Sequence, residues 1–176
     1  GDHRDLHSFP TRRSSDLPFA RIVSETVKKA AQTAGILYER YERRNLQYNY
    51  ERIVHVKDVQ EAISLLNELE GNIFLTTGVN TAATYMAGVK GGADRLFIRV
   101  LDNISSLEGC AEAGYQKDHV FGKMPPFTVE DNVKLIKETK AEVLVSKDSG
   151  KTGGVDIKVE ACRQTGIKMI LIDRPR

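Results

Sequence analysis

Only two cysteines, Cys110 and Cys162, occur in the 176 residues. They are far apart in sequence and lack metal-ligand spacing, which argues against a disulfide framework or a zinc site and suits a reducing compartment. Neither sign of charge dominates: 26 basic residues stand against 24 acidic ones, a formal net of +2. So even a balance gives no general attraction for nucleic acid, and binding of an anion must come from local placement of Lys and Arg. No run approaches the roughly 20 apolar residues that span a bilayer. Nor does a charged-then-apolar leader precede a small-residue cleavage site. The expectation is a cytoplasmic protein that engages neither membrane nor nucleic acid. Nucleophile elbow, HExxH and paired-Cys motifs are missing too, so acyl transfer and metal hydrolysis have no support. No internal repeat or low-complexity tract occurs.

With 40% hydrophobic residues, the chain can bury one good core, or one small domain and the remnant of a second. Residues 1–17 carry neither helical nor alternating apolar spacing, and their three Arg cancel their three Asp. The run from His7 to Leu17 resembles a translated sequencing adapter. This stretch is expected to be a non-native disordered tail, with native sequence beginning near Pro18.

Beyond it the pattern becomes regular. Ile22, Val23, Thr26, Val27, Ala30, Ala31 and Ala34 recur at helical spacing and Gly35 follows, which predicts a helix over 21–34. A strand is expected from Ile36 to Tyr41, closing a first-domain remnant over 18–44. The polar stretch 45–52 reads as a linker. From residue 53 to 176, short apolar segments alternate with helical ones. Strands are expected at Ile53–Val56, from Asn72, at Arg95–Leu101, His119–Phe121, Glu142–Ser146 and Lys168–Ile172. Helices are expected at 59–69, 81–89, 104–113, 128–138 and 155–165. Such alternation predicts successive right-handed βαβ units, that is, an α/β, Rossmann-like parallel sheet with helices on both faces.

In such a sheet ligands bind beyond the carboxyl ends of the strands, and four of the turns there are distinctive. Thr76-Thr77-Gly78 offers two hydroxyls and a close backbone approach, although a plain helix entry explains it as well. Arg99 lies near the end of a buried strand, where its planar fork faces either a ligand anion or a local acid such as Asp102. Pro125-Pro126-Phe127-Thr128 makes a rigid turn with Thr128 as helix cap. The turn Lys147-Asp148-Ser149-Gly150-Lys151-Thr152-Gly153-Gly154 brings three glycines, two hydroxyls and two lysines between strand and helix. Its amides can wrap an anion, with Lys158 one turn further on. Gly150-Lys151-Thr152 lacks the upstream Gly of a Walker motif. His55 and His119 have no partner motif and read as structural.

Taken in order, several motifs together resemble the precorrin-6A reductase family. They are Pro18-Phe19-Ala20, Arg40-Tyr41-Glu42-Arg43, Thr76-Thr77-Gly78, Arg99-Val100-Leu101, Pro126-Phe127-Thr128 with Glu130 and Asn132, Lys147-Asp148-Ser149-Gly150 with Gly153-Gly154 and Lys158, and Arg174-Pro175. The resemblance runs from Pro18 to Arg176. It implies two Rossmann-like halves with a cleft between them. It also implies transfer of hydride from NADPH or NADH to a carbon–carbon double bond of precorrin-6A or its cobalt form, a corrinoid tetrapyrrole rich in acetate and propionate groups. The residues carried over as cofactor- or substrate-binding are Thr76, Thr77, Gly78, Arg99, Lys147, Ser149, Gly150, Gly153, Gly154 and Lys158; Arg40 and Arg43 can serve the same anions. No proton donor is identified. A monomer is expected. The family's opening strand and its glycine-rich turn have no counterpart here, Leu17 stands where a His precedes Pro-Phe-Ala, and Pro125 replaces a Gly. The expectation is therefore the C-terminal two-thirds of a reductase, without one wall of its cleft and inactive by itself. The alternative is a non-catalytic nucleotide- or phosphometabolite-binding α/β domain; a corrin methyltransferase would require a glycine-rich methyl-donor motif that is not found.

Overall fold

The computed structural model describes residues 14–15, 21–37, 40–41 and 47–175. Pro18-Phe19-Ala20, Glu42 and Arg43 lie outside them. The chain divides into two compact units, residues 1–45 with Pro175, and residues 46–174 with Arg176.

In the first unit, Ser14–Ser15 (β1) pairs in parallel with Arg40–Tyr41 (β2), and Arg21–Thr33 forms a helix (α1). The helix ends as its apolar spacing requires. Gly35 takes the left-handed conformation at φ 65°, and the Ile36 amide reaches back to the Ala31 carbonyl at 2.9 Å. Of the strand expected from Ile36 to Tyr41, the described residues show Arg40–Tyr41 as strand, while Ile36 and Leu37 follow the helix end and stay exposed.

The second unit is built on six parallel strands: Ile53–Val56 (β3), Asn72–Leu75 (β4), Leu96–Val100 (β5), Val120–Gly122 (β6), Ala141–Lys147 (β7) and Lys168–Ile172 (β8). Their spatial order is β3-β8-β7-β4-β5-β6. The helices are Val59–Leu66 (α2), Ala82–Gly88 (α3), Gly92–Arg95 (α4), Ile104–Glu112 (α5), Val129–Thr139 (α6) and Val155–Thr165 (α7). The chain steps one way through β3, β4, β5 and β6 and the other way through β6, β7 and β8. Right-handed crossovers must then put α2, α3 and α5 on one face and α6 and α7 on the other. Accordingly α6 packs on α7 and on β4 and β7, while α3 packs on α2 and α5.

Sheets covered on both faces need strands that are apolar throughout. Ile73, Phe74 and Leu75 of β4 and Met169, Ile170 and Leu171 of β8 are all fully buried. Val155, Val159, Ala161 and Cys162 of α7 and Leu135 and Ile136 of α6 close one face of this core.

Two expectations about boundaries differ instructively. The helix over 59–69 stops at Leu66, and Arg95, expected to open a strand, ends α4 instead. Arg95 donates from Nε to the Gly71 carbonyl at 2.9 Å and from Nη2 to the Leu69 carbonyl at 2.7 Å, so its side chain caps the turn after α2. The stretch expected as a linker is also divided. The units part after Asn45, whereas Tyr48 and Tyr50 pack on the α6–α7 core. The Tyr50 hydroxyl donates to the Ile167 carbonyl at 2.6 Å, pinning the strap to the turn between α7 and β8.

His55 and His119 have structural partners: His119 Nδ1 lies 3.0 Å from the Leu96 carbonyl with its ring stacked on Phe97, and His55 Nδ1 lies 2.8 Å from Asp173. No helix among the described residues is long and apolar enough to cross a membrane.

Candidate functional site

The winding reverses between β4 and β7. These strands are hydrogen-bonded neighbours, yet β4 leads away to β5 and β7 leads away to β8. Their carboxyl ends sit side by side, Leu75 opposite Val145, and the turns that follow must diverge. Divergence opens a crevice there. The structure has a cleft of about 580 Å³ at this place, lined by residues of the turns after β4, β5, β6 and β7 and by the start of α7.

Six of the ten residues expected to bind ligand line it: Thr76, Gly78, Arg99, Gly153, Gly154 and Lys158. Thr77, Lys147, Ser149 and Gly150 do not. Thr77 is buried behind the turn, with its hydroxyl 3.4 Å from that of Thr81. Thr76 reaches the wall, but its hydroxyl donates to the Val145 carbonyl at 2.8 Å and so extends the β4–β7 pairing. Gly78 has φ 83° and ψ 173°, open space where a Cβ would stand, and no side-chain cap on the turn it begins.

The glycine-rich turn after β7 behaves differently from the expected amide cradle. Its amides are largely used within the turn: Gly150 donates to Asp148 Oδ1 at 3.2 Å, Gly153 to the Gly150 carbonyl at 3.0 Å, and Gly154 to the Lys151 carbonyl at 2.9 Å. The Asp148 amide continues the ladder to Ile172 at 2.8 Å, and Arg174 Nε holds the Asp148 carbonyl at 2.9 Å. What the turn presents to the cleft is bare backbone at Gly153 and Gly154, flanked by the Lys151 and Lys158 side chains.

Arg99 is the most constrained cation. It is 6% exposed, its guanidinium lies 3.9 Å from the Phe127 ring centroid, and Nη1 donates to Asn132 Oδ1 at 2.8 Å. Asn132, fully buried on α6, donates in turn to the Thr128 carbonyl at 2.7 Å. Its position is secured by the capping box of α6, in which Thr128 Oγ1 accepts from the Asp131 amide at 3.1 Å and the Asp131 carboxylate accepts from the Thr128 amide at 2.9 Å. Among the described residues no carboxylate pairs with Arg99, so the alternative of an ion pair with Asp102 is not realised. Burial pulls its pKa down to about 10, with Asp131 opposing the shift.

Lys158 is 9% exposed, and its Nζ donates to Ser146 Oγ at 3.1 Å. Burial, reinforced by the positive charges of Arg99 and Lys147, lowers its pKa to about 7. Burial also lowers the pKa of Lys147. Among the described residues, Arg99, Lys158, Lys123 and Lys151 give the cleft wall four basic side chains, and no Asp or Glu lines it. Such a wall attracts anions, and no carboxylate on it competes with them for the cations. Phe127, Asn132 and Lys123 also line the cleft, although the sequence assigned none of them a binding role; Phe127 and Asn132 stood in plain view among the ordered motifs, in a turn and helix start read as structural.

A family model described as precorrin-6x reductase CbiJ/CobK matches residues 17–176. The cobalt-precorrin-6A reductase of Priestia megaterium is 35% identical over 160 residues, covering 90% of this chain and 63% of that protein. The cobalt-precorrin-6A reductase of Methanothermobacter thermautotrophicus is 31% identical over 161 residues, covering 90% and 52%. The chain thus spans roughly half to two-thirds of the length of these relatives. A solved structure titled CobK precorrin-6A reductase shares the fold, with a TM-score of 0.72 at 24% identity over 90% of this chain and 62% of that one.

Proposed function

Because this chain belongs to the precorrin-6x reductase CbiJ/CobK family, we propose that it contributes the macrocycle-binding half of a reductase in cobalamin biosynthesis, acting on precorrin-6A or its cobalt-containing form. The observation that carries this reading is the cleft at the β4–β7 divergence, with four cations and no carboxylate on its wall. A polycarboxylate macrocycle needs separated cations at the rim of an apolar pocket. Lys123 and Lys151 stand exposed at the mouth and Arg99 and Lys158 line the interior, on a wall that also holds Phe127 and Pro126. A dinucleotide pyrophosphate asks instead for free amides at the start of a full helix, and at the start of α7 Gly150, Gly153 and Gly154 use theirs internally; the uncapped Gly78 opens only a three-residue turn. The macrocycle's acetate and propionate groups are therefore the better match for this cleft than the cofactor's phosphates.

A reduced nicotinamide, NADPH or NADH, supplies the hydride for one carbon of the double bond when bound, and the neighbouring carbon takes a proton. The residues of this chain hold the macrocycle. Arg99 offers a fork whose plane is set by Phe127 and Asn132, and the bare backbone at Gly78, Gly153 and Gly154 lets a broad ring approach. Fixed geometry is the main requirement of hydride transfer.

The test is a titration of NADPH and of NADH against a full-length, adapter-free version of the protein, each with and without precorrin-6A or its cobalt form, following loss of the reduced cofactor's absorbance. Oxidation that depends on the macrocycle supports the reading. Nucleotide binding without such oxidation favours a non-catalytic nucleotide-binding domain instead.

A further inference from the structure

Reduction of a carbon–carbon double bond needs a proton as well as a hydride, and the cleft holds few groups able to give one. Among the described residues, its walls contain no Asp, Glu, His, Tyr or Cys. The four cations are all that remain. Arg99 keeps its proton up to about pH 10 and is fixed through Nη1 to Asn132. Lys123 and Lys151 are exposed to solvent, with nothing among the described residues that holds their side chains against one position of a bound ring. Lys158 differs from all three. It lies on the first turns of α7 against the sheet, is 9% exposed, and has the Ser146 hydroxyl at 3.1 Å as its acceptor rather than a carboxylate.

We propose that Lys158 is the proton donor of the reduction, delivering its Nζ proton to the carbon next to the one that receives the hydride. The proposal rests on the reductase reading above. Hydride from the reduced nicotinamide forms a C–H bond at one carbon while the cofactor is oxidised. The electron pair of the double bond moves to the neighbouring carbon and forms a C–H bond with the lysine proton. Lys158 is left neutral, hydrogen-bonded to Ser146, and regains its proton from water before the next turnover.

The surroundings favour each stage. The charged and titratable groups facing Lys158 are Arg99 on β5, Lys147 on β7 and Cys162 further along α7. The first two repel the ammonium form, and burial adds to them, so the pKa falls to about 7. A donor with a pKa near working pH is both acidic enough to give its proton and basic enough to reload. Cys162 does not compete for this role, because burial pushes its thiol up to about 12.

The experiment compares the parent chain with Lys158→Met and Lys158→Arg in the macrocycle-dependent oxidation of reduced nicotinamide, as kcat and KM against pH. Methionine is one atom shorter, fills most of the same space and removes a buried charge, and a circular-dichroism melt checks that the variant folds; arginine keeps the charge but gives up no proton. The expected result is that the parent kcat falls as pH rises above about 7. Both variants should then lose about a hundredfold or more in kcat, with KM within a few-fold for Lys158→Arg, and neither should retain that pH limb. Parental kcat and pH profile in Lys158→Met would overturn the donor role and leave the reductase reading standing. So would a raised KM with kcat retained, which marks a binding residue only. All three forms are assayed in a full-length reductase that carries this chain, and absence of macrocycle-dependent oxidation in the parent full-length protein would overturn the reductase reading and the donor role together.

Discussion

At the scale of the residue, the site depends on a cation that the protein has deprived of choices. Arg99 sits under Phe127 with one N–H given to Asn132, so its remaining donors point in directions set by the stack. Lysine at this position keeps the charge but loses both the planar fork and the stacking. Arg99→Lys should therefore weaken macrocycle binding about tenfold, equivalent to about 1.4 kcal/mol, in an equilibrium titration followed by the macrocycle's visible absorbance. Affinity equal to the parent's would show that only the charge matters. Arg99 itself was legible in the sequence, because a charged residue within an apolar strand is costly without a purpose. The stacking ring was not: Phe127 lies 28 positions downstream, and only the β5–β6 pairing, with Arg99 opposite Phe121, brings the turn after β6 back over the end of β5.

At the scale of the element, the turns after the strands divide into those that shape backbone and those that offer side chains. Gly154 adopts φ 74° and ψ 24° as the first cap of α7, with no atom within 4 Å of the place where a Cβ would stand. Gly154→Ala should then cost only the left-handed backbone penalty, about 1–2 kcal/mol, read as a lower urea midpoint with an unchanged slope. Thr128→Ala removes the reciprocal cap of α6 and should cost about 1 kcal/mol by the same measurement. It should also loosen Asn132, whose amide bonds the Thr128 carbonyl, and so weaken ligand binding through Arg99. A stability loss with wholly unchanged affinity would uncouple the cap from the site. Element identities were readable because buried parallel strands are apolar without interruption and the helices keep a 3.6-residue stripe. The internal use of the amides at Gly150, Gly153 and Gly154 was not, since a glycine-rich turn has the same composition whether its N–H groups face a ligand or one another.

At the scale of the whole molecule, Lys158 links the site to global stability. Its folded pKa is lowered to about 7, whereas an unfolded lysine titrates near the ordinary value of 10.5. Between these values the unfolded chain binds more protons than the folded one, so this group's contribution to stability rises with pH. Below about pH 7 both states are protonated and the penalty of the buried charge is present in full. The difference in unfolding free energy between Lys158→Met and the parent should accordingly be largest at and below neutral pH and shrink toward pH 10. A pH-independent difference would mean that the ammonium group is better solvated than its burial implies. Fold class was the part of the whole most open to the sequence, because alternating short apolar runs and amphipathic segments have few packed solutions. The strand order was not, since local periodicity carries no information on which strands become neighbours.

That order has a consequence for how the cleft comes into being. Leu75 and Val145 are paired neighbours at the centre of the sheet but lie 70 residues apart along the chain. A nascent or refolding polypeptide can therefore assemble β4, β5 and β6 with α3 and α5 and still have no cleft. The two walls meet only when β7 docks beside β4, a long-range closure of the kind that slows folding. Recovery of ligand binding in a refolding experiment should coincide with protection of the amides of β7 from hydrogen exchange, and lag behind that of α5. The binding site is thus a late product of the folding pathway, completed by the same step that closes the middle of the sheet.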